Sequence, residues 1–343
     1  MPLTIKTAAP FDTETWDTYV LNHPQGTVFH LAAWKKVIET TFGHKSHYVM
    51  ATQQNRICGI LPVFEIKSIL FGHYFVSVPF AEIGGVLADN PDIEQALIRH
   101  AASVTDAHKA KYLELRNRKE LQGFKTKSLY YNFRKEISPD HDENLKSIPR
   151  KSRAMVRNAI KKDLISETGH HLLPDFYNIL ALNYHRLGTP IFPEKFFKNF
   201  LMKFGQNVDI LVVRTKEGNL AAAVLFFIFK DQMVPYYAGS DFTFRHLGPN
   251  DFMYWELMKY AVEKNCRTFD FGRSKEDTGS FKFKKHWGFE PEPLAYQYHL
   301  ARANDIPNLS PANPKYQRKI QIWRKMPHII TRLIGPLIAR NLA

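Results

Sequence analysis

Cysteine is scarce: Cys58 and Cys266 are the only two in 343 residues, each inside an apolar stretch. Neither a disulfide framework nor a thiolate zinc site is indicated, and a reducing compartment is implied. Long apolar runs are missing too. The longest, Leu220 to Phe229, has ten residues, whereas a membrane-spanning helix needs roughly 20, so this run reads as a buried strand. Met1 to Asp12 lacks the basic-then-apolar order of a secretory signal, which predicts a cytoplasmic chain. His44/His47 and His170/His171 have no carboxylate or cysteine at ligand spacing and no His-Glu-x-x-His occurs, so no metal site is expected. Gly-x-Ser-x-Gly and Gly-x-x-x-x-Gly-Lys are also absent, which removes support for a covalent serine or a phosphate loop.

What is present suits a globular chain of two domains: 44% hydrophobic and 23% charged residues, with no low-complexity tract. The net charge of +14 is local. Lys146, Arg150, Lys151, Arg153, Arg157, Lys161 and Lys162 crowd one segment without an acid. Lys315, Arg318, Lys319, Arg324, Lys325, Arg332 and Arg340 crowd the C-terminal one, again without an acid. Such fields steer anionic partners such as a nucleic acid, a nucleotide or a membrane surface, although two solvated helical faces give the same pattern. Asn144 to Lys162 reads as one helix with Ile148, Met155, Val156 and Ile160 on one side. In the tail, Ile320, Trp323, Met326, Ile330, Leu333, Leu337 and Ile338 form an apolar side broken by Pro327 and Pro336. That fits a helix lying on anionic lipid, and equally one docked on the protein.

The pattern repeats. Strands at His47–Thr52, Arg56–Phe64 and Tyr74–Pro79 are followed by a Gly84-Gly85 loop. A helix from Pro91 carries Ile93, Leu97, Ala101 and Val104 on one face, and a strand follows at Tyr112–Leu115. The second half gives Asp209–Thr215, Leu220–Phe229, Val234–Ala238, a helix carrying Phe252, Trp255, Leu257, Met258 and Val262, then Thr268–Phe271. Helical lead-ins precede each copy, Ala32–Thr41 in the first and Pro174–Tyr184 with Pro193–Lys203 in the second. Hairpin, strand, loop, helix, strand, twice in order, predicts a structural duplication. This order resembles the N-acyltransferase (GNAT) superfamily fold. Arg245-His246-Leu247-Gly248-Pro249-Asn250 stands where that fold has Arg/Gln-x-x-Gly-x-Gly/Ala, with Pro249 removing one amide donor.

A more specific resemblance is carried by Tyr236-Tyr237-Ala238-Gly239-Ser240, Leu247-Gly248-Pro249-Asn250, Tyr254-Trp255-Glu256 and Phe269-Asp270-Phe271-Gly272-Arg273. Gly279 to Gly288 and Thr27 to Trp34 belong to it as well. These stretches resemble Fem-type aminoacyltransferases, and more narrowly the FemAB-related proteins found beside exopolysaccharide and exosortase systems of Gram-negative bacteria. The resemblance implies an α/β (α+β) fold of two tandem GNAT-like domains, each a mixed, mostly antiparallel sheet flanked by helices, plus a basic helical tail. The expected boundaries are 1–145, 146–300 (carrying the active site) and 301–343. It implies amide-forming acyl transfer, with the family's catalytic Phe-Lys pair falling on Phe283 and Lys284. A fixed cation suits that chemistry, because negative charge develops on the carbonyl and departing oxygens, and an aromatic neighbour can stack on a terminal base. Phe281 and Phe283 alternating with Lys282 and Lys284 also fits a half-buried strand.

Two positions depart from the peptidoglycan-precursor enzymes: Ile38 stands for a lysine and Phe192 for an arginine that hold the nucleotide-sugar. Tyr237 is a further catalytic candidate. Arg186, Ser240, Asn250, Asp270, Arg273, Lys151, Arg153 and Arg157 are candidate substrate contacts, with Arg186 alternatively paired to a carboxylate and Asp270 an acceptor for backbone amides. No tightly bound cofactor is expected; aminoacyl-tRNA or acyl-coenzyme A is the co-substrate, and the acceptor is an amine of an envelope or exopolysaccharide precursor. Two other readings remain, an acyl-CoA-dependent N-acyltransferase and a non-enzymatic, membrane-peripheral scaffold of polysaccharide assembly. Peripheral contact with anionic membrane is expected through 315–343.

Overall fold

The computed structural model describes residues 2–8, 12–307 and 314–342. From the N-terminus it runs β1 (Thr4–Thr7), α1 (Thr13–Asn22), α2 (Ala32–Phe42), β2 (Lys45–Ser46), β3 (Val49–Gln53), β4 (Arg56–Leu61), β5 (Phe64–Ser68), β6 (Gly72–Ser77), β7 (Leu87–Ala88), α3 (Pro91–Ala107), β8 (Leu113–Asn117) and β9 (Lys125–Lys127). Then come β10 (Tyr130–Glu136), α4 (His141–Ser147), α5 (Arg150–Ile160), β11 (Ile165–Thr168), α6 (Leu173–Leu187), α7 (Glu194–Phe204), β12 (Val208–Arg214), β13 (Leu220–Phe229) and β14 (Gln232–Ser240). The chain continues through α8 (Pro249–Glu263), β15 (Thr268–Asp270), β16 (Ser274–Lys275), α9 (Gly279–His286), β17 (Pro291–Pro293), β18 (Ala295–His299), α10 (Pro314–Lys325) and α11 (His328–Ala339).

Packing divides the chain into two compact units. The first is Met1–Tyr130 with Pro293–Asn308 and Arg340–Ala343; the second is Tyr131–Glu292 with Leu309–Ala339. In the first, β1-β3-β4-β7 form one sheet and β2-β5-β6-β8-β18-β9 another. Gln54 and Asn55, both with positive φ, turn the β3–β4 hairpin, as a tight hairpin requires. The expected strand from Arg56 to Phe64 is broken at Pro62, which has no N–H to give a ladder. β4 therefore stays with β3, while β5 turns back to pair with β6, so the single expected strand is two. β6 then crosses through α3 to the parallel strand β8, flanked by antiparallel β18.

The second unit repeats this order as β11-β12-β13-β14-β15-β10-β16, with β17 beside β10. β14 crosses through α8 to parallel β15, flanked by antiparallel β10. In each unit the strand beside the crossover pair comes from outside the repeat, β18 in one and β10 in the other. That exchange puts the divisions at Tyr130–Tyr131 and Glu292–Pro293 rather than at 145/146 and 300.

Residues Ala221–Phe227 of β13 are all buried because helices cover both faces. Ala222, Val224 and Phe226 join the α8-side core with Met253, Leu257 and Phe269, while Phe227 packs on Phe200 and Phe204 of α7.

Two helical expectations are corrected. Asn144–Lys162 is not one helix: Pro149 separates α4 from α5, and the buried side of α5 is Ser152, Val156 and Ala159, leaving Met155 and Ile160 exposed. The tail is two helices that pack on α6 within the second unit rather than a separate segment. Lys315 has a described backbone, but its side chain lies outside what is described. No helix among the described residues is long and apolar enough to cross a membrane.

Candidate active site

β14 is where the second sheet opens. Its parallel pairing with β15 covers only Gln232↔Thr268 and Met233↔Phe269, after which β14 continues to Ser240 against β13 alone. Ligand sites in such sheets form where neighbouring parallel strands part at their C-terminal ends. The register of β13 with β14 slips at Tyr236, between Leu225↔Tyr237 and Phe226↔Pro235. Pro235 cannot complete a ladder, and a bulge there re-aims the next side chains. Tyr237 consequently sits half-buried against Phe192, Phe197 and Tyr236, with ring centroids at 5.5, 5.4 and 4.3 Å. Burial, then the neighbouring Tyr236 and Tyr184 hydroxyls, push its phenol well above the usual tyrosine range, while the Arg273 guanidinium pulls the other way. Tyr237 is therefore a neutral O–H donor at physiological pH.

Phe281–Lys284 belong to helix α9, not to a strand. Thr278 caps its N-terminus through the Phe281 N–H, and the inward side runs Phe281, Lys284, Trp287 at helical spacing. Trp287, 1% exposed, donates its indole N–H to Asp251 Oδ1 at 3.0 Å. Phe283 packs on Tyr254 and Trp287, each at 5.6 Å. So held, α9 drives Lys284 inward until it is 8% exposed, a lysine nearly removed from water. Its ammonium donates to the carbonyls of Gly272 (2.9 Å) and Arg273 (3.1 Å) and lies 5.5 Å from the Phe133 ring centre. Those carbonyls belong to the chain leaving β15, on one side of the opening.

The other expected contacts fall into separate groups. Asp270 is buried and accepts from the Gly272 N–H (2.9 Å) and Asn132 Nδ2 (3.3 Å), the backbone-amide acceptor role. Ser240 pairs with Ala222 at the end of β14. Asn250 is exposed in the first turn of α8, after Gly248 in the left-handed conformation and Pro249.

Arg186, at the end of α6, meets an amide rather than a carboxylate. It donates to Asn183 Oδ1 at 2.9 Å and lies 5.4 Å over the Phe242 ring. Arg245 lies over the same ring at 4.4 Å, so one half-exposed phenylalanine gathers two guanidinium groups. In the sequence Arg245 stands out only as part of a loop pattern, and its pairing with Arg186 has no local signature because Arg186 lies far from Phe242 and Arg245 along the chain.

On α5, Arg153 donates to the Lys146 carbonyl at 2.9 Å, whereas Lys151 and Arg157 stand in solvent with no carboxylate within 4 Å among the described residues. Ser152 Oγ donates to the His286 carbonyl at 2.7 Å and Ala159 lies under Gly248, so α5 runs from the end of α9 towards the start of α8. Ile38 is wholly buried in α2 of the first unit.

Residues 150–285 match the model of the acetyltransferase (GNAT) domain. The lipid II:glycine glycyltransferase of Staphylococcus epidermidis is 23% identical over 89% of this chain and 97% of its own length. The Staphylococcus aureus protein of the same name is 21% identical over 79% and 87%. Among solved structures, FemX matches 94% of this chain and 100% of its own with a TM-score of 0.69 at 18% identity. A tandem GNAT protein from the clavulanic acid biosynthesis pathway matches 89% and 100% with a TM-score of 0.57 at 12% identity. The chain is an acyltransferase with tandem GNAT-like units. Its relatives over most of its length are Fem-type glycyltransferases.

Proposed function

We propose that the chain transfers an aminoacyl group from aminoacyl-tRNA to an amine of a cell-envelope precursor, at the opening between β14 and β15. The observation that carries this reading is the buried ammonium of Lys284, held by the Gly272 and Arg273 carbonyls. The acceptor amine attacks the ester carbonyl carbon, the carbonyl oxygen takes up charge, and the bond to the ribose oxygen breaks. The proton lost by the amine ends on that ribose oxygen. Lys284 stabilises the charged oxygens, and in a dry site a fixed cation does so without reorganisation. Tyr237, kept protonated by burial, hands its proton to the leaving oxygen and recovers one from the amine. Phe283 positions α9, and Arg273 lies near the Tyr237 hydroxyl. Arg186 and Arg245 take an anionic group of a substrate, while Lys151, Arg153 and Arg157 follow an RNA backbone. Asp270 fixes the backbone turn at Gly272; Ser240 and Asn250 line the approach.

The class of acceptor, an amine of an envelope precursor, is supported by the relatives, whose names specify lipid II. With Ile38 and Phe192 in place of the usual precursor contacts, a different envelope or exopolysaccharide amine is favoured. Such acceptors are lipid-linked, which places the chain peripherally at the inner face of a membrane, in contact through 315–343.

Acyl-coenzyme A is the competing donor, since the matched domain is of acetyltransferase type. Two features disfavour it: Pro249 withdraws an amide from the α8 N-terminus, and Asp251 puts a carboxyl in the same turn. Titration of the protein with charged tRNA and with acetyl-coenzyme A separates the two donors. Saturable binding of tRNA with transfer to an amine is expected; saturable binding of the coenzyme alone overturns the reading.

A further inference from the structure

Helix α11 carries apolar residues on two opposite sides, one buried and one exposed. Thr331, Gly335 and Ala339, four residues apart, are its buried residues. A Cβ on Gly335 would stand 3.0 Å from Ile191, so the small side chain permits close approach. Polar pins fix this docking: Arg332 donates to Asn178 Oδ1 (2.8 Å) and covers the Tyr177 ring. Just upstream, the His185 ring meets the Met326 carbonyl (2.9 Å) and Arg324 donates to the Leu187 carbonyl (3.1 Å).

About 200° round the helix, at two residues' offset, Ile329, Leu333 and Leu337 form a second stripe. They are 69%, 72% and 73% exposed, and Ile330 beside them is 40% exposed. Three large aliphatic side chains in one row facing solvent mark an interaction surface rather than scattered exposure. The charge of the segment that carries them has one sign. From Ile306 to Ala343 there is no acidic residue. Arg318, Lys319 and Lys325 of α10 are exposed and meet no carboxylate within 4 Å among the described residues.

We propose that the Ile329–Leu333–Leu337 stripe seats the protein on an anionic lipid bilayer. The aliphatic side chains enter the acyl boundary, and Arg318, Lys319 and Lys325 meet headgroup phosphates. An exposed apolar row in a segment whose exposed charges are all cations is the composition of an in-plane interfacial element. α11, at 12 residues, is far too short to span. A second copy of the chain is the poorer occupant, because it would set two acid-free 306–343 segments, like charge against like. The inference names the surface behind the peripheral placement above, but it does not rest on acyl transfer, since it is read without turnover.

The test is co-sedimentation of the full chain with phosphatidylcholine vesicles, and with vesicles containing about one-third phosphatidylglycerol, at low and high salt. Wild type is expected to pellet with the anionic vesicles and to be released by salt. Leu333→Gln and Ile329→Gln/Leu333→Gln, at exposed positions that leave the melting temperature unchanged, are expected to lower partitioning by roughly tenfold per side chain. Arg318→Gln/Lys319→Gln/Lys325→Gln is expected to abolish the preference for anionic over neutral vesicles. Wild type remaining in the supernatant with both vesicles would overturn the inference. So would undiminished binding by the double variant, or a concentration-dependent dimer that Leu333→Gln dissolves. Transfer to a water-soluble amine, assayed without vesicles, keeps the functional reading separately decidable.

Discussion

Replacing Lys284 by methionine asks whether this cation is catalytic or only structural. Methionine keeps the aliphatic volume and removes the charge, so packing against Phe133 and Phe271 is retained while the Gly272 and Arg273 carbonyls lose their donor. A hydrogen bond from a charged group contributes about 1.5–3 kcal/mol, and two are lost. Part of that is offset, because the ammonium of a lysine only 8% exposed no longer has to be desolvated. The expected net loss is about 2–4 kcal/mol, or roughly 5–15 °C in melting temperature for a domain of this size. If the ammonium also faces the developing oxyanion, turnover at saturating substrates falls by about a hundred- to a thousandfold, the usual cost of one oxyanion donor. Urea unfolding followed by circular dichroism gives the first quantity, and single-turnover transfer from labelled aminoacyl-tRNA gives the second. A less stable variant with wild-type turnover would refute the catalytic assignment. Unchanged stability would refute the carbonyl cage itself.

Tyr237→Phe should lower turnover by about tenfold or more, uniformly from pH 6 to 9, because burial keeps the phenol protonated throughout; an alkaline limb below pH 9 that disappears in the variant would contradict this. Arg186→Ala and Arg245→Ala should each raise KM for the anionic substrate by about tenfold, leave kcat unchanged, and flatten its salt dependence; an unchanged KM removes the pair from the site. In the first unit, burial lowers His30 to about 3 and His44 to about 4. His30 is locked neutral, its Nδ1 accepting from the Thr27 N–H while Nε2 faces the Gly85 carbonyl. Depressed folded-state values leave stability intact above pH 6.5 and remove it as the pH falls, at about 1.4 kcal/mol per pH unit for each histidine. Going from pH 7 to 5 should therefore cost roughly 4 kcal/mol, and an NMR titration finding either ring near 6.5 would contradict the assignment.

Elements with an unambiguous period were legible: β13 runs from Leu220 to Phe229 as read, and α3 begins at Pro91 behind the Asn90 cap. The sequence was less decisive where two periods share the same residues. Phe281–Lys284 satisfies strand alternation, and only the Thr278 cap and Trp287 one turn onward favour a helix. Pro62 and Pro149 were visible, but their effect depends on which sheet or helix claims each side, a tertiary matter. The lysine was placed by resemblance alone. What holds it, two carbonyls left without strand partners where β14 and β15 part, is set by a sheet opening that has no local signature.

The duplication sharpens why the candidate site lies in the second unit. Overlaying the core-facing pairs Phe75↔Leu113 and Met233↔Phe269 sets Glu114 opposite Asp270 and Arg116 opposite Gly272. In the first unit pairing continues to Ser77↔Leu115, and Arg116 then ties the departing chain down. Its guanidinium donates to the Val78 and Ala81 carbonyls at 2.9 and 2.7 Å and its Nε to Glu114 at 2.8 Å, while Tyr298 closes on the same carboxylate. Arg116 thus holds that end of the first sheet from within, in a buried ion pair with Glu114 that breaks only at high cost. In the second unit the corresponding residue is glycine, which brings no side chain. The strands part, and the freed carbonyls of Gly272 and Arg273 take a lysine from α9, so that the cation at the end of the strand is Arg116 of the strand itself in one copy and Lys284 of a following helix in the other.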